Sequence, residues 1–305
     1  MSKVIRIGTR ESQLAVWQAT KVQDLLAGQG HKSELVYIKS DGDTDLKTPL
    51  YEIGVQGIFT RSLDIALLNK EIDIAVHSMK DVPTVMAKGI IKTAILPRAS
   101  HLDILVPRPG HSFSAQAENM VIATSSIRRK AQWLHRYPNS QIENLRGNVN
   151  TRLRKVEESN WNGAIFAAAG LERINLRPTN AVNLDWMLPA PAQGAIVVVC
   201  REHDLDSFEI CNQFHDEKTS VCTAMERDFL RALLGGCSTP ISALAEVNTG
   251  KVKFRGNILS KDGRQKVSVE KEGPLSDAPY IGQQAADDLL EAGGREILEG
   301  IQNEQ

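Results

Sequence analysis

The chain has 305 residues, and its 36 lysines and arginines nearly balance 37 aspartates and glutamates, so the formal net charge is −1. Because single domains usually contain ~100–200 residues, this length predicts several domains. The near-neutral charge excludes a global field that would draw the protein to nucleic acid or to an anionic membrane, so any anion site must be local.

Short β-branched runs alternate with longer helical patterns through most of the chain, which is the order of βαβ units. The first predicted unit contains a strand at 4–7, a helix at 11–27, a strand at 35–39, a helix at 58–69 and a strand at 72–76. The second contains a strand at 120–123, a helix at 126–136, a strand at 141–145, a helix at 149–159, a strand at 164–168 and a helix at Gly170.

Proline-rich segments separate these units, since Pro97, Pro107 and Pro109 lie between them and 188–194 leads into an apolar strand at 195–200. A chain that leaves one α/β lobe and later returns to it forms two lobes joined by paired hinge crossings. Beyond about 219 the pattern changes to a helix, three strands and a second helix at 280–292. We therefore predict an α/β protein with lobe 1 at 1–97 and 195–215, lobe 2 at 98–194, and a small C-terminal α+β domain at 216–305.

Arginines stand where a helix dipole disfavours cations. Arg128 and Arg129 follow Ser126 at a strand-to-helix turn, and such a helix N-terminus with hydroxyl and guanidinium groups is suited to a carboxylate or phosphate. One arginine alone indicates only a solvated surface charge. Other arginines also begin helical segments, namely Arg10 (beside Ser12), Arg146, Arg152 and Arg173. Because the strand-to-helix turns of a parallel sheet open on one edge, we expect the set in the second unit to converge there.

Asp81 follows the apolar strand of the first unit, at a carboxyl strand end where α/β sites form. Lys80 beside it would keep the carboxylate ionised. The alternative is that Asp81 is an ordinary turn or cap residue. His77 is predicted to be structural, because the sequence offers it neither a nucleophile partner nor a metal pattern.

Cys237 follows Gly235 and Gly236 and precedes Pro240, so its thiol is expected to be presented and able to carry a covalent group. The alternative is a glycine helix cap followed by a small buried cysteine. No CxxC pair or histidine at ligand spacing accompanies the cysteines, which predicts reduced thiols and no metal site. The sequence also lacks the apolar core of a signal peptide and any run of ~20 apolar residues, so we expect a cytoplasmic protein with no membrane partner.

Six segments, in this order, together resemble the porphobilinogen deaminase (hydroxymethylbilane synthase) family: IRIGTRESQLA at 5–15, HSMKDVP at 77–83, TSSIRR at 124–129, NLRGNV at 144–149, LPAPAQGA at 188–195 and GGC at 235–237. The resemblance implies a three-domain transferase whose first two lobes are similar to periplasmic binding proteins. It implies head-to-tail condensation of four porphobilinogen molecules, with release of ammonia, to the linear tetrapyrrole hydroxymethylbilane. It further implies a monomer that passes its product to the next tetrapyrrole enzyme.

The resemblance also implies the roles of individual residues. One dipyrromethane cofactor per chain is held by a thioether to Cys237, and Asp81 is the catalytic residue. The cofactor is bound by Ser78, Lys80, Ser126, Arg128, Arg129, Arg146 and Arg152. The substrate is bound by Arg10, Ser12, Gln18, Arg146, Arg152, Arg173 and Arg227. No metal is implied.

Three positions depart from the family pattern: Gln56 replaces a lysine in an expected lid at 40–57, Ala192 replaces a glycine, and Val199 replaces an acidic residue. Two other functions remain open from the residues alone. A reversible anion-binding or sensor protein would share the two lobes and the hinge. A nucleic-acid-binding protein could use the basic run at 128–130, although the neutral charge and few aromatic residues argue against it.

Overall fold

The computed structural model describes residues 3–39, 60–111, 113–114, 119–233 and 239–303. Up to residue 99 the described elements are β1 (Ile5–Thr9), α1 (Gln13–Gly28), β2 (Ser33–Tyr37), α2 (Arg61–Leu68), β3 (Ile74–Ser78) and β4 (Ile90–Ile95). From 100 to 193 they are β5 (Asp103–Pro107), β6 (Val121–Ala123), α3 (Ile127–Arg136), β7 (Gln141–Glu143), α4 (Val149–Glu158), β8 (Gly163–Ala167), α5 (Ala168–Glu172) and β9 (Val182–Asn183). Thereafter they are β10 (Ile196–Arg201), α6 (Leu205–Asn212), α7 (Glu217–Ala232), β11 (Ile241–Asn248), β12 (Lys251–Leu259), β13 (Lys266–Pro274), α8 (Ala278–Leu289) and α9 (Arg295–Asn303).

The described residues fall into two compact units, one made of 3–39, 60–99 and 194–220, and the other of 100–193 and 221–303. In the first unit the strand order is β2-β1-β3-β10-β4, with β1 parallel to β2 and β3 and with β10 antiparallel to β3 and β4. Apolar side chains of α1 and α6 pack on this sheet in one core.

The second unit repeats this topology with the order β7-β6-β8-β5-β9. β6 is parallel to β7 and β8, whereas β5 runs antiparallel to β8 and β9. In each unit the strand that follows a crossing from the other unit, β5 or β10, is inserted antiparallel inside the sheet. This pattern confirms the predicted α/β class with two lobes and paired crossings.

The end of the chain adds an antiparallel sheet in the order β11-β12-β13, covered by α7, α8 and α9 around a core of its own. The predicted α+β character of this part is confirmed. It belongs to the same compact unit as 100–193, so its separation as a domain at 216–305 stays a prediction.

The sequence patterns missed five described elements, β4, β5, β9, α6 and α9. The third predicted strand also lies two residues further on than expected, at Ile74–Ser78. The last predicted helix ends in a break at Gly293, which has a φ of 103°, and α9 follows it. None of the described helices is both long and apolar enough to cross a membrane.

Two of the positions that depart from the family pattern are buried. Ala192 has a φ of 62°, a left-handed conformation that favours glycine, which gives a physical reason for the glycine common there. Val199 lies in β10 and is 1% exposed. Gln56 and the expected lid at 40–57 lie outside the described residues.

We expect Gly282→Ala to destabilise the C-terminal part of the chain by about 1–3 kcal/mol, because α8 approaches α7 too closely there for a side chain. A Cβ atom at Gly282 would lie 2.3 Å from the backbone oxygen of Met225. Gly300 in α9 is the matched control, since a Cβ atom there meets nothing within 4 Å. Urea unfolding should show a loss for Gly282→Ala and a gain of up to about 1 kcal/mol for Gly300→Ala; equal effects of the two changes would contradict this packing.

Candidate active site

In the first unit, the predicted site residues lie at the carboxyl ends of the adjacent parallel strands β1 and β3. Arg10 and Ser12 follow β1, and the Ser12 hydroxyl caps α1 by accepting a hydrogen bond of 3.3 Å from the Ala15 amide. Gln18 of α1 is buried, and its Nε2 donates a 2.8 Å hydrogen bond to the Ser78 hydroxyl at the end of β3. The fold therefore joins the loop after β3 to the first helix.

Asp81 lies in a single 3₁₀ turn, Met79–Asp81, directly after β3. The turn is anchored to the interior of the unit, because the Met79 side chain is 1% exposed and the Met79 amide donates a 3.0 Å hydrogen bond to the Ala195 carbonyl. The Val82 amide closes the turn on the Met79 carbonyl at 3.2 Å. Lys80 and Asp81 are themselves half-buried, so a rigid turn presents a carboxylate that solvent or a ligand can reach.

His77 precedes this turn in β3 and is 6% exposed. Burial lowers the pKa of its imidazole to about 4, and the positive charge of Arg10 lowers it further. The ring is therefore neutral at physiological pH. Its Nε2 atom is buried and makes no hydrogen bond within the part of the chain that the structure describes.

We expect His77 to make the folded protein sensitive to acid. Its pKa is about 4 when folded against an ordinary 6.5, so between these values the unfolded chain binds more protons than the folded one. Stability should therefore fall by about 3 kcal/mol as the pH drops from 6.5 to 4. Urea unfolding of wild type and His77→Gln across this range isolates the contribution, because glutamine does not titrate. The same slope in both proteins would contradict the expectation.

In the second unit, three predicted arginines follow the three adjacent parallel strands β7, β6 and β8. Arg128 comes after β6, Arg146 after β7 and Arg173 after β8, so the topology confirms that these loops share one edge of the sheet. Arg146 is buried, and burial lowers the pKa of Arg173 to about 10, which leaves its guanidinium charged. Arg152, in α4, donates from Nε to the Gly147 carbonyl at 2.7 Å and so supports the same loop.

Arg128 and Arg129 are both buried at the start of α3 and share the carboxylate of Asp103, which is fully buried in β5. Arg128 Nη2 lies 2.7 Å from Asp103 Oδ2. Arg129 donates from Nε and Nη2 to Asp103 Oδ1 at 3.0 and 2.8 Å. Burial lowers the pKa of Arg128 and the Asp103 charge opposes this shift. Ser126 caps the helix, accepting from the Arg129 amide at 3.4 Å.

Sequence patterns did not identify Asp103, because β5, the strand that it opens, was itself not predicted. The segment at 188–194 was predicted as a crossing, but its support of this pair was not. Arg128 Nη1 donates to the Leu188 carbonyl at 2.7 Å, and Gln193 Nε2 donates to Asp103 Oδ1 at 3.0 Å. The segment at 188–193 thus holds both the carboxylate and one of its two arginines.

Glu226 of α7 fixes the same segment from another side. Its fully buried carboxylate accepts hydrogen bonds from the amides of Ala192 and Ala245 at 2.6 and 2.7 Å. Arg227, the next residue, is 8% exposed, and burial lowers its pKa. The Glu226 carboxylate thus stabilises the strained backbone of Ala192 through a charge-assisted hydrogen bond.

The three described cysteines, Cys200, Cys211 and Cys222, are buried. Burial raises the pKa of Cys200 to about 11 and that of Cys211 to about 12, so both remain unreactive thiols. Cys237, with the glycines before it, lies outside the described residues. An exposed Cys237 thiol therefore stays a prediction.

Two family models match the chain. One, described as porphobilinogen deaminase, dipyromethane cofactor binding domain, covers residues 5–209. The other, described as the porphobilinogen deaminase C-terminal domain, covers residues 220–291.

Relatives along the whole length carry the same name. The porphobilinogen deaminase of Syntrophotalea carbinolica is 42% identical over 98% of this chain and 96% of its own. That of Pelotomaculum thermopropionicum is 40% identical over 100% of this chain and 99% of its own. The chloroplastic enzyme of Pisum sativum is 41% identical over 95% of this chain and 82% of its own.

Among solved structures, the VFT2 domain of Bordetella pertussis BvgS is 12% identical, with a TM-score of 0.43 over 69% of this chain and 86% of that one. The arginine-binding periplasmic protein STM4351 of Salmonella typhimurium is 9% identical, with a TM-score of 0.43 over 72% and 94%. The family models and the full-length relatives agree, and the chain belongs to the porphobilinogen deaminase family.

Proposed function

We propose that the protein is a hydroxymethylbilane synthase, a transferase of tetrapyrrole biosynthesis that condenses four porphobilinogen molecules head to tail and releases ammonia at each step. The observation that carries the proposal is the set of arginines after three adjacent parallel strands, in a chain of this family. Porphobilinogen bears an acetate and a propionate, so each added ring brings two carboxylates. Planar guanidinium groups bind such carboxylates in pairs of hydrogen bonds.

In the first unit, Asp81 is assigned the catalytic role. When the aminomethyl group of the substrate leaves as ammonia, positive charge develops on the pyrrole, and a carboxylate held in a fixed turn stabilises that charge without reorganising. Lys80 lies within the turn and Ser78 directly precedes it, and the hydrogen bond from Gln18 to Ser78 keeps this end of the turn in one arrangement. Arg10 and Ser12 would bind substrate carboxylate and polar groups from the neighbouring strand end.

In the second unit, the proposed cofactor contacts are Ser126, Arg128, Arg129, Arg146 and Arg152, and the proposed substrate contacts are Arg146, Arg152, Arg173 and Arg227. The donors fit a group with several carboxylates because their guanidinium charges are buried or half-buried, where an anion gains most from them. Arg129 is satisfied in part by Asp103, so we assign it chiefly the task of holding Arg128 and the helix start in place.

The cofactor is proposed to be one dipyrromethane per chain, joined by a thioether to Cys237. When bound, it supplies the nucleophilic pyrrole carbon to which the first substrate ring is joined. Two of the three described cysteines are excluded as anchors by burial and by raised thiol pKa values, and Cys222 is buried as well. We further propose a cytoplasmic monomer whose product passes to the next tetrapyrrole enzyme.

Intact mass of freshly purified, reduced protein, followed by peptide mapping, tests this proposal. The expected result is an excess mass of two linked pyrrole units on the peptide that contains Cys237, together with formation of a linear tetrapyrrole from porphobilinogen. An unmodified thiol in protein that gains no mass from porphobilinogen would overturn the proposal and favour a reversible anion-binding protein instead.

A further inference from the structure

A cavity of about 230 Å³ lies in the second unit, between α3 and the C-terminal sheet. The residues that line it are Gln132, His135, Arg136, Trp186, Leu259 and Lys266. Gln132 and Leu259 are buried, Trp186 is half-buried and the three basic side chains are exposed, so the cavity has a buried base and a basic rim. Its volume lies just below the ~300–1,000 Å³ of common small-molecule sites, which suits a ligand of about one ring.

Hydrogen bonds of Gln132 hold the base of the cavity in place. Its Nε2 donates to the Leu188 carbonyl at 2.9 Å and to the Ser242 hydroxyl at 3.1 Å, and its Oε1 accepts from the Leu188 amide at 2.9 Å. These bonds join α3 to β11 and to the segment that carries Trp186. Both polar groups of the Gln132 side chain are engaged within the protein, so recognition of a ligand falls to the rim and to the apolar surfaces.

The turn between β12 and β13 is packed directly on α3. Gly263 in this turn has a φ of 75°, and a Cβ atom there would lie 2.4 Å from the backbone oxygen of Ala131. The His135 Nδ1 atom lies 2.8 Å from the Gly263 carbonyl, and because a carbonyl can only accept, this nitrogen is the donor. The cavity is therefore formed before a ligand binds, and binding would not have to order these elements.

Two cations of the rim come from different elements. Arg136 lies in the last turn of α3, and Lys266 begins β13. The guanidinium carbon of Arg136 is 4.9 Å from the centre of the Trp186 ring, a stacking contact that leaves the edge of the guanidinium group able to bind a carboxylate. None of the described residues that line the cavity is acidic. The rim therefore favours an anion that reaches two cations at once.

The chemistry of the lining separates the candidate ligands. Inorganic phosphate would pair with the cations but would leave the apolar surfaces of Leu259 and Trp186 uncovered. A neutral aromatic molecule would cover those surfaces but leave the cations unused, and an aromatic monocarboxylate would engage one of them. A ring that bears two carboxylates satisfies both the apolar surfaces and the two cations. We propose that this cavity is a binding site for a small aromatic dicarboxylate.

This site is separate from the proposed cofactor contacts. Arg136 and Arg128 lie at opposite ends of α3, about two helical turns and ~12 Å apart along the helix axis. A bound dicarboxylate would join α3 to the β12–β13 hairpin, so it should stabilise the helix that holds Arg128 and Arg129 without occupying their place. Binding at this cavity does not depend on the proposed function.

Fluorine-19 NMR of the full-length protein, labelled with 5-fluorotryptophan at its four tryptophans, tests the proposal. Trp186→Phe identifies the Trp186 signal by its disappearance. Isophthalate, a benzene ring with two carboxylates, is expected to shift this signal in a saturable manner and to raise the melting temperature. Benzoate and inorganic phosphate are expected to bind at least severalfold more weakly. No saturable shift with isophthalate, or an equal response to benzoate or phosphate, overturns the proposal.

Lys266→Gln removes one cation of the rim and should weaken isophthalate binding by about two- to fivefold, the factor expected for an exposed ion pair. Arg264→Gln is the matched control, because Arg264 is an exposed cation of the same hairpin that does not line the cavity. Both changes lie at exposed positions and should keep the wild-type melting curve. An equal loss of affinity in both variants would mean attraction by general surface charge, and unchanged affinity in Lys266→Gln would mean binding without the second cation; either result overturns the proposal.

Discussion

Replacing Asp81 by asparagine is expected to lower kcat by on the order of 10²–10³-fold while leaving the fold intact. Asparagine keeps the size of the side chain and its hydrogen-bonding oxygen but removes the negative charge. The charge is what opposes the positive charge that develops on the pyrrole as ammonia leaves. Because the side chain is half-buried and the turn is held by Met79, the change should alter the free energy of unfolding by no more than about 0.5 kcal/mol.

The measurement is steady-state turnover of porphobilinogen beside a urea unfolding curve for the same protein. Asp24→Asn, at an exposed position of α1 in the same unit, is the matched control and should keep wild-type kcat. A variant at Asp81 with wild-type kcat would remove that residue from the mechanism. A large loss of stability would instead mean that its carboxylate supports the turn.

The sequence predicted most strands and helices of the two α/β lobes because these elements have clear apolar periods. β4 and β5 were not predicted because prolines lie near them in the sequence. β5 ends at Pro107 inside a sheet. Its conformation is determined by the long-range pairing with β8 and not by local residue preference. β5 is short and begins with Asp103, which sequence patterns assign to a loop.

The sequence predicted which loops carry the candidate site, but it did not predict how the charges of the site are paired. The order of strands and helices placed Arg128, Arg146 and Arg173 at one edge, and the structure bears this out. The sequence alone could not reveal that Asp103 neutralises two of the arginines, because the two segments are separated along the chain and meet only through the antiparallel insertion of β5. An external anion was expected at this helix terminus, but the carboxylate of Asp103 already pairs with its two arginines.

Asp103→Asn is expected to destabilise the second unit by about 3–5 kcal/mol, because it leaves two buried guanidinium charges facing a neutral amide. It should also reduce retention of the cofactor. Arg128 would face the amide NH2 group that replaces Asp103 Oδ2 and would lose the partner that fixes its direction, whereas Gln193 would keep its acceptor, Oδ1. Three of the four tryptophans, Trp133, Trp161 and Trp186, lie in this unit, so fluorescence during urea unfolding reports mainly on it.

Asp73→Asn is the control for Asp103→Asn, because it separates a loss of stability from a loss of the cofactor site. Asp73 is a buried carboxylate of the first unit, where burial alone would raise its pKa, but hydrogen bonds from Arg6 and Lys3 outweigh this and hold the pKa well below its ordinary value. Lys3 and Arg6 are partly exposed, so water can solvate them once the partner charge is gone, and Arg201, which also contacts Asp73, keeps Asp204 as a second partner. The cost should therefore be smaller than at Asp103. We expect intact mass to show full cofactor content in Asp73→Asn and reduced content in Asp103→Asn. Equal content in both would mean that Asp103 supports only the fold and that the arginine pair binds the cofactor without being aimed by it.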